Sequence, residues 1–292
     1  MLKKLLHEFS IFKRDRYFYE RILRNQLEIG FQNLLLGANK NFPARLKGFS
    51  QGEEDFILYT LSRILGLTSF LEFGVEDWRE SNTRIVSSLI NGKFCVIDGD
   101  ASNISKIKNC REYYTSNILA LNEWITVKNI NELINYGATK LGSNFDVISI
   151  DLDGNDYWIL EKINAKPKIF IVEYNSLFGE QKKITIPYDA EFQRFKYDPS
   201  GCIYGASFSA LVSLLDERGY NLFHVSEMGN NLIFIQNDYY NDVTEVFLGC
   251  DKFREISYRE MHIDGSRAFV HFNEAKNYVL GKSEKYIELN QE

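Results

Sequence analysis

FDVISIDLDGNDYWIL, residues 145–160, joins a buried-strand pattern to a helix through a loop that carries Asp151, Asp153 and Asp156. Val147, Ile148 and Ile150 form a short apolar run rich in β-branched residues, the pattern of a strand covered on both faces. DYWILEKI reads as the helix that follows, with Pro167 beyond its end. Carboxylates this close repel one another when all are ionised in a confined space. A metal site, a catalytic base and a helix cap are three uses for them, and the rest of the chain discriminates among these.

The same strand-then-helix rhythm extends on both sides. FLEFGV, FCVID, WITV, FDVISID and IFIVEYN read as five successive strands. NTRIVSSLING, NISKIKNCREYY, NINELINYG and DYWILEKI read as the helices between them, and Asn129 with Glu132 is spaced as a capping box. Repeated βα units with right-handed crossovers predict a parallel, doubly wound sheet. The rhythm breaks at 176–206, a loop-rich stretch with Pro187 and Pro199, and a helix resumes at SFSALVSLLDERG, capped by Ser207 and closed by Gly219. YNLFHV and NNLIFIQ are separated only by SEMGN, too short for a parallel crossover, so they form an antiparallel pair.

Upstream, residues 1 to about 40 read as helical, with Ile22, Leu27, Phe31, Leu34 and Leu35 near helical spacing and Gly37 and Pro43 as interruptions. SQGEEDFILYTLSRILG shows a capping box, Ser50 with Glu53, and a stop at Gly66. The expected organisation is an N-terminal helical extension over 1–66, a core over 67–237 with 176–206 as a substrate-covering insert, and a C-terminal extension over 238–292.

Composition narrows the class. The chain has 292 residues and a formal net charge of -6, which argues against a general nucleic-acid binder. Cys95, Cys110, Cys202 and Cys250 are scattered without C-x-x-C or zinc spacing, as in reduced thiols of a cytoplasmic protein. The histidines are dispersed, and structural or surface roles suit them better than metal ligation. MLKKLLHEFSIFKRDRYFYE lacks the sustained apolar region and cleavage site of a signal peptide, and no stretch is long and apolar enough to span a membrane. Its Leu, Phe and Lys/Arg mixture suits packing on its own domain or on a second subunit, with peripheral membrane contact the alternative.

In a doubly wound sheet, ligands sit at the carboxyl ends of the strands. Those ends carry Glu72 and Gly74, Asp98 and Asp100, Asn129, Asp151 and Asp153, and Glu173 and Asn175. Gly74 lets the backbone turn tightly beside a ligand. G-x-G-x-x-G is absent, because Glu76 and Trp78 stand near where further glycines are expected, and the acids Glu76, Asp77 and Glu80 disfavour a dinucleotide pyrophosphate. Asp98 suits the hydroxyls of a ribose, and Asp100 is the more natural helix cap. DLDGND is not an EF-hand, since its glycine is fourth and Lys162 occupies the twelfth position, where a bidentate Glu is required. Asp151 with Glu173 and Asn175 offers oxygen ligands for one Mg2+ or Mn2+ ion, whereas Asp156 reads as the start of a helix.

The ordered set SQGEEDFI, FLEFGVEDWRESNTR, VIDGD, VKNINELI, ISIDLDGNDYWIL, IFIVEYN, IPYD and YGASFSALVSLLDERGY spans about residues 49–237. It resembles the class I S-adenosylmethionine-dependent methyltransferases, and more closely their FkbM-like branch, whose bacterial relatives are associated with surface-polysaccharide biosynthesis. The resemblance implies a Rossmann-like seven-stranded α/β sheet with an antiparallel last strand. It implies that Glu72 and Gly74 line the methionine end of the cofactor, Asp98 its ribose and the region of Asn129 and Ile130 its adenine, with Asp151 beside the transferred methyl. It further implies acids at the fourth and fifth strand ends as ligands in metal-dependent relatives. Asp151 and Asp153 are then the candidate catalytic residues, and the acceptor is a sugar or phosphosugar hydroxyl of a glycan precursor. Two alternatives stand beside this: a nucleotide-sugar glycosyltransferase using Asp151-Leu-Asp153, which predicts a mixed core that is not seven-stranded, and a non-catalytic binding protein on the methyltransferase fold.

Overall fold

The computed structural model describes residues 22–36 and 48–289. The expected helical character of 1–40 is therefore seen only over 22–35, as helix α1; the rest of that stretch and the Pro43 interruption lie outside the described residues. Helix α2 (Glu54–Leu65) ends at Gly66, whose left-handed φ of 62° closes it as expected. Its start differs from the expected capping box. The Glu53 side chain leaves the helix for His224 (2.7 Å) and the Glu227 N–H (2.7 Å). The Asp55 carboxylate instead accepts from the N–H groups of Gly48, Phe49 and Ser50 at 2.7–2.9 Å.

The central sheet contains β1 (Ser69–Phe73), β2 (Lys93–Asp98), β3 (Asn117–Asn122), β4 (Val147–Ile150), β5 (Ile169–Glu173), β7 (Tyr220–Val225) and β8 (Asn231–Gln236). Its order is β3-β2-β1-β4-β5-β8-β7. β1 to β5 run parallel, and β8 runs antiparallel to both β5 and β7. This is the α/β, doubly wound, Rossmann-like seven-stranded sheet with a reversed last strand that the sequence predicts. The strand order reverses between β1 and β4, which places the switch point at Gly74 and Asp151.

The third strand is a correction. WITV, residues 124–127, is not a strand; β3 is NILALN, paired from Asn117 opposite Lys93 to Asn122 opposite Asp98. NILALN lies at the sheet edge and is mostly half-exposed, so it lacks the continuous apolar run that marks a doubly covered strand. WITV has the stronger β-propensity but forms the loop that follows. Asn129 folds that loop by accepting from Thr126 N–H and Oγ1 (2.8 and 2.9 Å), so its side chain does not cap helix α6 (Ile130–Leu141).

Two apolar layers cover the sheet. One unites Phe73, Ile97, Ile148 and Val172 with residues of α6, α7 (Asp156–Lys162) and α9 (Phe208–Asp216). The other unites Phe70, Phe94, Val147 and Ile171 with α1, α2, α3 (Arg84–Leu89) and α10 (Asn237–Thr244). A third cluster joins the insert to the C-terminal extension: Leu177, Ile184, Phe192 and Tyr204 pack with Met261, Val270, Phe272 and Val279. The extension supplies β9 (Tyr258–Ile263), β10 (Ser266–His271) and α11 (Phe272–Leu280), and its β11 (Ile287–Glu288) pairs with β6 (Ile184–Thr185) of the insert. The four cysteines are free, and no described helix is long and apolar enough to cross a membrane.

Candidate active site

Five parallel strands deliver their carboxyl ends to one edge of the sheet, and a cleft of about 550 Å3 opens there. Gly74, Glu76, Asp98, Asp151 and Asp153 line one side, and Trp124, Ile125, Phe192 and Arg194 complete it. Gly74 has a φ of 72°, and a β-carbon there stands 1.6 Å from the Asp151 carbonyl oxygen, so only glycine lets the ends of β1 and β4 meet.

The loop after Gly74 resolves the shortage of glycines. Glu76 and Trp78 themselves hold left-handed backbone, φ 46° and 63°, a conformation that glycine adopts far more readily. Two contacts keep them there. The Glu76 N–H donates to Asp98 Oδ2 at 2.8 Å. The Trp78 ring is fully buried against Val75, Val96, Ile104 and Ile107. Asp98 also accepts from the Asp100 N–H (2.8 Å) and Asn103 Nδ2 (3.2 Å), so three of its roughly four acceptor directions are filled, and the residue lines the cleft. Asp100 caps helix α4 (Ala101–Lys108) through the Ser102 N–H, as expected.

Three other expected cofactor residues lie elsewhere. Glu72 is buried, and its oxygens accept from Ser81 Oγ, the Asn82 and Thr83 N–H groups and Thr83 Oγ1, which ties down the start of α3. It does not line the cleft. Asn129 and Ile130 are also absent from the lining: the first folds its own loop and the second is fully buried in the core. Because β3 ends at Asn122, Trp124 and Ile125 hold the place on the cleft expected of Asn129 and Ile130. The Trp124 indole N–H is anchored on the Ala190 carbonyl at 2.6 Å.

Asp151, Asp153 and Glu173 each place an oxygen within 4.8 Å of the others. Asn175 does not join them, contrary to expectation. Its amide donates to the Cys202 and Tyr204 carbonyls (2.8 and 3.1 Å) and accepts from the Leu177 N–H (3.1 Å), so it clamps the insert. Burial, with the nearby charges of Glu173 and Asp153, holds the Asp151 carboxyl well above its usual range. Burial and Asp153 push Glu173 up to about 8. Asp156, the first residue of α7, accepts from the Leu152 and Gly154 N–H groups (2.8 and 3.0 Å) and is pushed up to about 7, chiefly by burial.

Arg194, which the sequence did not single out, is the counter-charge. It sits on helix α8 (Arg194–Tyr197) of the insert. Its Nη1 donates to Asp153 Oδ1 at 2.6 Å, its Nε donates to the Gly201 carbonyl at 2.7 Å, and its guanidinium lies 3.7 Å from the centroid of the buried Tyr204 ring. Asp153 is held with a φ of 55°, so this loop, like that of Glu76, carries left-handed backbone at the site. Beyond Arg194 a second cavity of about 380 Å3 is lined by Glu173, Asn230, Arg259, Tyr258 and His262. Arg194 and Phe195 line both cavities.

Glu173 carries a stability cost that is testable. Its folded value of about 8 lies above the ordinary 4.5, so its stabilising contribution is complete below about pH 4.5 and is lost as pH rises through 8. Glu173→Gln removes that loss, and we expect its Tm to exceed the parent's by about 5 °C at pH 9 while matching it near pH 4. Thermal melts across pH check this; an equal or lower Tm at pH 9 contradicts a buried, charge-stressed carboxyl.

No protein-family model matches the chain, and no curated protein matches it. Among solved structures the chain is similar to the N-terminal domain of EvdMO1 with SAH bound, at 11% identity over 64% of this chain and 82% of that one, TM-score 0.42. It is similar to a putative O-methyltransferase from Klebsiella pneumoniae, at 13% identity over 74% and 90%, TM-score 0.39. It is also similar to an O-methyltransferase from Bacillus cereus in complex with SAH, at 16% identity over 72% and 89%, TM-score 0.40.

Proposed function

We propose that the protein is an S-adenosylmethionine-dependent O-methyltransferase whose acceptor is a sugar or phosphosugar hydroxyl, of the kind found in surface-glycan precursors. The observation that carries this is the acid-lined cleft at the switch point, where Glu76, Asp98, Asp151 and Asp153 surround a space bounded by an aromatic ring. Such a lining complements a ligand with a sulfonium and an ammonium charge, a diol and a flat base, and it repels a pyrophosphate. In this reading Asp98 takes the ribose hydroxyls, the half-exposed Trp124 the adenine, and Glu76, which lines the cleft where Glu72 does not, the ammonium end.

S-adenosylmethionine, when bound, supplies a methyl group whose bond to sulfur breaks, with its electron pair returning to sulfur, as the acceptor oxygen bonds to carbon. The chain's own task is to align that oxygen and to remove its proton. Asp151 is the base: it lines the cofactor cleft, has an oxygen within 4.8 Å of Glu173 of the second cavity, and is held at a raised proton affinity that suits proton abstraction. Arg194 fixes Asp153 and the wall between the two cavities, so Asp153 acts as an oriented neighbour of the base. The all-oxygen set of Asp151, Asp153 and Glu173 fits a hard divalent ion, and the buried Glu173 Oε2 has no partner. Those three residues would hold Mg2+ or Mn2+, which lowers the pKa of an acceptor hydroxyl.

The seven-stranded order with its reversed last strand runs against a D-x-D glycosyltransferase. As a test of the cofactor cleft, Asp98→Ala is expected to weaken S-adenosylhomocysteine binding by about thirtyfold, the equivalent of about 2 kcal/mol. The parent should change its tryptophan emission on binding through Trp124, and Trp124→Phe should lose that signal while calorimetry still reports binding. Unchanged affinity in Asp98→Ala removes the ribose assignment.

A further inference from the structure

The second cavity contains a guanidinium that the methyl-transfer reading does not use. Arg259 stands on β9, held in the hairpin by pairing with Val270, and its Nη2 donates to the Tyr204 hydroxyl. Tyr204 is fully buried in the cluster that joins the insert to the C-terminal extension. The same phenol therefore carries two arginines, Arg194 against its ring and Arg259 on its hydroxyl. Two like charges gathered on one side chain are unfavourable unless anions match them. Asp153 matches Arg194. Among the described residues no carboxylate lies within ion-pairing distance of Arg259. Of the acids on the same cavity, Glu260 is held by Arg267, Glu80 forms no ion pair with Arg259, and Glu173 feels the Arg259 charge without reaching salt-bridge distance, so the guanidinium's N–H donors stay without a carboxylate partner.

We propose that Arg259 is the specificity residue of the acceptor chamber and binds an oxyanion, a carboxylate or phosphate, carried by the sugar to be methylated. The term acceptor rests on the methyl-transfer reading above; the oxyanion site itself rests on Arg259. Guanidinium presents five N–H donors in a planar fork that matches such oxyanions, and the Tyr204 contact occupies one of them. Phe195 and His262, a tilted ring pair with centroids 4.6 Å apart, give the same chamber an aromatic wall suited to a sugar face. Glu173 lines the same chamber and has an oxygen within 4.8 Å of Asp151 and Asp153, which connects a sugar held there to the acids that receive its proton.

Binding of glucuronate, glucose 6-phosphate and methyl glucoside is titrated on the full chain, parent and Arg259→Ala, with S-adenosylhomocysteine calorimetry on the same samples. At least one charged sugar is expected to bind the parent at least about tenfold more tightly than methyl glucoside, and Arg259→Ala should abolish that preference. Whichever of glucuronate or glucose 6-phosphate shows the preference identifies the oxyanion as carboxylate or phosphate. Arg259→Lys keeps the charge without the fork and should retain only part of the preference, which guards against a folding defect in the alanine variant. Equal binding of the neutral sugar, a preference that survives Arg259→Ala, or no binding of any probe at about 10 mM overturns the inference. An Arg259-dependent preference in a protein that gives no heat with S-adenosylhomocysteine supports the oxyanion site and removes methyl transfer. Heat with S-adenosylhomocysteine but no charge preference removes the oxyanion site alone.

Discussion

Asp151→Asn is expected to lower methyl-transfer turnover by about a thousandfold while leaving S-adenosylhomocysteine affinity within about threefold of the parent, the magnitude ordinarily associated with loss of a positioned base. The substitution preserves shape, so the cleft wall and the close approach to Gly74 remain. What it removes is a charge crowded by Glu173 and Asp153 and a site able to take the acceptor proton. The folded Asp151 carboxyl binds its proton more tightly than in the unfolded chain, so its stabilising contribution is lost as pH rises above the ordinary carboxylate range. The asparagine variant should therefore melt higher than the parent at pH 8 even as turnover collapses. Turnover and melting temperature moving in opposite directions identify a residue held against stability for chemistry. A fall in both assigns Asp151 to structure.

Gly74→Ala should be among the most destabilising substitutions in the chain, by about 4 kcal/mol or more. Two costs combine. The left-handed φ of 72° alone costs a residue with a β-carbon about 1–2 kcal/mol. The new carbon also falls 1.6 Å from the Asp151 carbonyl oxygen, a backbone atom that cannot swing aside. The ends of β1 and β4 must separate, straining the bonds from Gly74 N–H to the Ile97 carbonyl (3.0 Å) and from Asp151 N–H to the Phe73 carbonyl (3.3 Å). Gly66→Ala is the control, since its φ is nearly the same, 62°, and nothing lies within 4 Å of its added carbon. It should cost only about 1 kcal/mol. Denaturant melts of the two variants separate steric approach from backbone preference, and equal losses contradict the close packing at the switch point.

Most of the sheet was legible because its central strands are buried on both faces and read as short apolar runs between helix signals. The reversed last strand was legible from the length of SEMGN alone. The edge strand was not: NILALN is half-exposed, while WITV looks more strand-like but spends its side chains on the cleft and the core. That misplacement put Asn129 and Ile130 at the strand end where Trp124 and Ile125 line the cleft. At the site, Asp98, Asp151, Asp153 and Glu173 were visible because strand ends bring them to one edge. Glu72 looked equally suitable, yet its neighbours Ser81, Asn82 and Thr83 consume its oxygens, a choice made by the path of the following loop. Arg194 and Tyr204 had no local signal at all, since their partners lie on other elements. Glu76 and Trp78 carry one, since they stand where glycines are expected and hold the left-handed backbone those positions require.

The most direct measurement is calorimetry of the full chain with S-adenosylhomocysteine and, in separate titrations, with a UDP-sugar in the presence of Mn2+. Methyl transfer predicts saturable heat with S-adenosylhomocysteine at one site and none with the UDP-sugar. Absence of heat with S-adenosylhomocysteine at millimolar concentration, or saturable heat with the UDP-sugar alone, contradicts it.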